Sequence, residues 1–109
     1  MQLIAVMNKA LQQLIPGQIG RFNDDHEPRA FGDNIQKWGS TLILIESGGY
    51  AQDIEKQEIR RLNYVALLTA FQSLISNSWQ HYSQADYQTI PINERARYDL
   101  LLRNVSIPD

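Results

Sequence analysis

The stretch "TLILIESGGY", Thr41 to Tyr50, decides how this chain is read. An unbroken apolar run, Leu42 to Ile45, ends on a carboxylate, Glu46, and Gly48-Gly49 follow almost at once. The apolar residues do not alternate with polar ones. That pattern suits a strand covered on both faces, as in a parallel-rich sheet with helices on each side.

The flanking sequence predicts helices. Asp53 reads as an N-cap, with Glu55 in a first turn where the helix dipole favours an acid. The long helix runs from Ile54 to about Ser76, and its core stripe is Ile59, Leu62, Val65, Ala66, Ala70 and Leu74. Upstream, Phe31, Ile35 and Trp38 fall on one face of a short helix closed by Gly39. "NDDHEPR" is a polar loop and "QIGRF" a short strand candidate. From Gln2 to Ile15, Leu3, Ile4, Met7, Leu11, Leu14 and Ile15 have helical spacing, which Pro16-Gly17 stops. Past "SNS" the chain becomes aromatic and irregular, and beyond Pro91 a short helix is expected near Asn93 to Asn104. The predicted fold is therefore α/β, a partial mixed sheet packed by helices.

Composition narrows the function classes. The 109 residues suffice for one domain with a modest core, and 43% hydrophobic with 20% charged residues is ordinary for a globular protein. A net charge of −2 with scattered basic residues gives no footprint for nucleic acid or an anionic membrane. With no cysteine there is no thiol nucleophile and no thiolate zinc site. No apolar run approaches the roughly 18 residues that cross a bilayer. The amino-terminal segment lacks the basic stretch and small-residue cleavage site of a signal peptide.

Glu46 is the leading candidate for chemistry. Ligands of helix-flanked sheets sit beyond the carboxyl ends of the strands. A partly desolvated acid at that point is suited to moving protons, and Gly48 and Gly49 let the backbone pass close to a bound group. The alternative is a strand-end acid that caps a backbone N–H or pairs with a cation. His26 and His81 stand at no metal-binding spacing and read as solvated loop residues. Asp24, Asp25 and Glu27 lack the order of a calcium loop. Ser47 lies in E-S-G-G and not in a G-x-S-x-G elbow. Trp38, Trp79, Tyr82 and Tyr87, without a basic groove, read as packing residues.

The run "RAFGDNIQKWGSTLILIESGGY" followed by "DIEKQEIRRLNYVALLTAF" resembles the C-terminal part of zinc carboxypeptidases, the carboxypeptidase A-like superfamily in its bacterial form. In that family a Gly-Asp loop leads through a short helix to a strand ending in the catalytic glutamate, and a long helix closes the domain. The resemblance covers about residues 1–76 and implies the C-terminal portion of an α/β/α catalytic domain, with residues 77–109 as a helical extension. It implies that Glu46 is the general base of a peptide or related amide hydrolase, acting on a zinc-bound water, and that Gly48 and Gly49 leave room for substrate. The zinc and the peptide substrate belong to the complete enzyme. The family's H-x-x-E pair is missing, since three residues after His26 stands Arg29 and three after His81 stands Gln84. The expectation is thus a hydrolase fragment that carries the base, holds no zinc of its own and is inactive alone. A second expectation is a non-catalytic α/β interaction module or homodimerising domain, joined through open sheet edges and apolar helix faces. A third couples Glu46 with His26 in an unrelated small hydrolase.

Overall fold

The computed structural model of the chain describes residues 1–22 and 27–93. Among these residues four α-helices follow in order: α1 (Gln2–Leu11), α2 (Phe31–Lys37), α3 (Gln57–Ser76) and α4 (Gln84–Gln88). A 3₁₀ turn, Ser78–His81, joins α3 to α4.

The core is the contact between α1 and α3. Ala5, Val6 and Met7 of α1 are buried, and so are Leu62, Ala66, Ala70 and Ser73 of α3. Alanines on both helices allow the backbones to approach closely. Met7, Ala66 and Ala70 form the centre, with Leu3, Leu11 and Ile43 packed around it. α1 ends four residues earlier than its apolar spacing predicts. Turns then carry the chain to Gly17, which sits at φ +73° and donates its N–H to the Gln12 side chain at 2.8 Å.

The segment after α3 returns to α1. Gln2 Nε2 donates to the Tyr82 carbonyl at 2.6 Å, and the Ser78 hydroxyl donates to Ser73 Oγ at 3.0 Å. The second bond satisfies Ser73, which is only 2% exposed. α4 opens with a capping box in which Ser83 and Asp86 bond each other's backbone N–H groups. Its C-terminal tail then reaches the segment expected as a short strand. The Arg21 N–H donates to the Pro91 carbonyl at 2.7 Å, and the Asn93 N–H donates to the Arg21 carbonyl at 2.8 Å.

These bonds make an isolated parallel bridge between Arg21 and Ile92, and no sheet forms among the described residues. The expected α/β fold, a partial mixed sheet packed by helices, is thereby corrected: 52% of the described chain is helical. "TLILIE" runs without regular structure, and from Thr41 to Gly49 the backbone makes no backbone–backbone hydrogen bond among the described residues. A strand needs a neighbour for its N–H and C=O groups, and the one other strand candidate, "QIGRF", is engaged by Pro91 and Asn93 instead. Ile43 alone reaches the α1–α3 core, while Leu42 lies over Gly32 of α2, where an added Cβ would meet its Cδ2 at 2.8 Å.

α2 forms where Phe31, Ile35 and Trp38 predict it, and Gly39 ends it at φ +95°. The helix expected near Asn93 to Asn104 lies outside the described residues.

Candidate functional site

Glu46 sits at the end of an irregular segment and is exposed to solvent. Its neighbour Ser47 is tied to α3: Asn63 Nδ2 donates to Ser47 Oγ at 2.9 Å and also to the Ile59 carbonyl at 2.8 Å. This clasp fixes where the segment crosses α3 but leaves Glu46 without a hydrogen bond or ion pair among the described residues. A Cβ built on Gly48 or Gly49 would meet no atom within 4 Å, so neither glycine is required by a close approach here. His81 is exposed in the 3₁₀ turn, and Asp24, Asp25 and His26 lie outside the described residues.

The aromatic candidates separate. Tyr82 and Tyr87 are half-buried, with the Lys9 ammonium 5.6 Å from the Tyr82 ring and the Arg21 guanidinium 5.4 Å from the Tyr87 ring. Trp79 is half-buried as well. Trp38, read as a core or interface packing residue, and Phe31 on the same helix are both largely in solvent.

A larger feature lies on α3. At about 100° per residue, buried Leu62, Ala66, Ala70 and Ser73 define one side of the helix. Tyr64, Leu67, Leu68, Phe71, Leu74 and Ile75 occupy an arc of roughly 120° on the opposite side, and all six are exposed. Exposure runs from 45% at Leu67 to 84% at Ile75. The stripe is three turns long. From Leu62 to Ala85 the chain carries no Asp, Glu, Lys or Arg. The signal was present in the sequence: besides the side marked by Leu62, Ala66 and Ala70, a second apolar face runs along the helix, and Arg61, Thr69, Gln72 and Ser76 are left to form a narrow polar strip. Leu74, expected in the core stripe, belongs to this outer face.

Charge gathers at the amino-terminal end of α3. Glu58 and Arg61 form an ion pair. Asp53 accepts from the N–H groups of Glu58 at 3.1 Å and Ile59 at 2.9 Å. No helix among the described residues is long and apolar enough to cross a membrane, and no group of three or more His, Asp or Glu comes together there. No protein family, curated protein or solved structure shows significant similarity to the chain.

Proposed function

We propose that this chain is a helical protein-interaction module whose docking surface is the outer face of α3. The observation that carries the reading is the bare, uncharged apolar stripe opposite the side α3 buries against α1. A second apolar face on a helix ordinarily has something to bury against, and folded chains rarely leave a contiguous apolar patch of more than a few hundred Å² in water. Spacing at i, i+3, i+4 and i+7 with aromatic and leucine anchors is the pattern by which one helix seats against another. Glu46 as the general base of a zinc hydrolase keeps only the sequence resemblance in its favour. The geometry supports the interaction reading better, because Glu46 stands at no strand mouth and in open solvent.

The test compares the two faces of α3. Leu62→Gln, on the inner face, is expected to remove the helical signal in circular dichroism and the cooperative melt. Leu68→Gln, on the outer face, is expected to keep the helices and raise solubility. Equal loss of helix from both substitutions would place the outer face in the chain's own core and overturn the proposal.

A further inference from the structure

We infer that the occupant of this face is a second copy of the chain, seated with its α3 antiparallel to the first. The inference rests on the interaction reading above and adds the identity of the partner. The stripe is self-complementary about a point between Thr69 and Ala70. Antiparallel pairing about that point sets Tyr64 against the partner's Ile75 and Leu68 against the partner's Phe71, and the two-fold axis repeats both pairs. Each aromatic ring thus meets an aliphatic side chain, so large and branched residues alternate across the seam. A two-fold axis needs one patch that matches itself, and this patch does.

Charge favours the same arrangement. No ionic side chain lies within the seam, since α3 is uncharged from Leu62 to its end. Arg60 lies on the outer face about one turn before Tyr64. Antiparallel pairing brings it beside the carboxyl end of the partner helix, where free carbonyls favour a cation. Parallel pairing would instead bring the two Arg60 side chains together.

The area is adequate. At roughly 200 Å² for a fully exposed side chain of this size, the six residues present on the order of 600 Å² per protomer. Complete burial of both stripes would remove about 1,200 Å² from water, the lower edge of a stable specific interface.

The test uses the full chain and exploits its lack of cysteine. Light scattering should give twice the 12.5 kDa chain mass. Spin labels are placed separately at Gln57→Cys and Gln72→Cys, two exposed positions of α3. With 1.5 Å of rise per residue, antiparallel pairing separates the two copies of position 57 by roughly 37 Å along the axis and those of position 72 by roughly 8 Å. A long distance at 57 with a short one at 72 is the expected result. Short distances at both positions mean parallel helices and overturn the arrangement. A monomer mass without any interlabel distance overturns the second copy. If in that monomer Leu68→Gln still preserves the helices, the interaction reading stands with another partner. If Leu68→Gln melts it, both fail.

Discussion

Asp53 shows how one side chain can start a helix from outside it. Lys56, at the N-cap position, adopts the left-handed conformation at φ +57° and provides no side-chain cap. The Asp53 carboxylate does that work from three residues earlier by accepting the N–H groups of Glu58 and Ile59. Desolvation pushes its pKa up, but the N–H groups of Ile59, Glu58 and Gln57 and the nearby Lys56 outweigh that, so the pKa lies below the usual carboxylate value. A depressed pKa contributes stability above the unfolded value of about 3.9, and the contribution is lost as pH falls through the folded value. Asp53→Ala should lower the Tm by a few degrees at pH 7. The gap to the parent chain should close below about pH 4. A gap constant from pH 7 to pH 2 would mean the carboxylate does not hold the helix start. Asp53 was legible as a cap because Asp before a helical pattern has few other uses. The delay of α3 to Gln57 was not, since it depends on the conformation of Lys56.

At the scale of elements, periodicity was a good guide to helices and a poor one to the apolar run. Leu3, Met7 and Leu11 marked α1, Phe31 and Ile35 marked α2, and α3 ends at Ser76 as its pattern indicates. "TLILIE" carries the residue types of a buried strand, yet a strand exists only when another chain segment answers its backbone. Pattern within the run cannot report that. Small side chains on α3 set how closely it meets α1. Ala66 is 2% exposed at the centre of that contact. Ala66→Leu should therefore destabilise the pair by about 1–3 kcal/mol through overpacking, measured by denaturant unfolding. A neutral result would show that the helices are not in close contact. The same substitution at an outer-face position would add apolar surface and leave the α1–α3 contact alone.

For the whole molecule, the balance of buried and exposed residues argues for association. Among the described residues seven hydrophobic side chains are buried, three of them alanines, while sixteen large ones are exposed. A core that small folds the single chain at modest stability, which association raises. Pairing through α3 would move six of the exposed side chains out of water in each copy. Thermal stability should then depend on concentration, the Tm rising as the protein is concentrated from the micromolar to the millimolar range. A Tm independent of concentration over that range, at monomer mass, would contradict association.

By itself the sequence determined that helices form at α1, α2 and α3, because 3.6-residue periodicity, Gly39 and Asp53 act through neighbours a few residues away, but not that α1 stops at Leu11, that α3 waits until Gln57 or that Gln84–Gln88 turns helical. It also determined that α3 carries a second apolar face, Tyr64 to Ile75, beside the one it buries. Only the tertiary structure decided that Leu74 turns outward from the predicted stripe, that Glu46 stands in solvent and that "TLILIE" finds no partner strand. Those outcomes depend on which distant segments compete for the same apolar surface and the same backbone groups, and no local pattern encodes that competition.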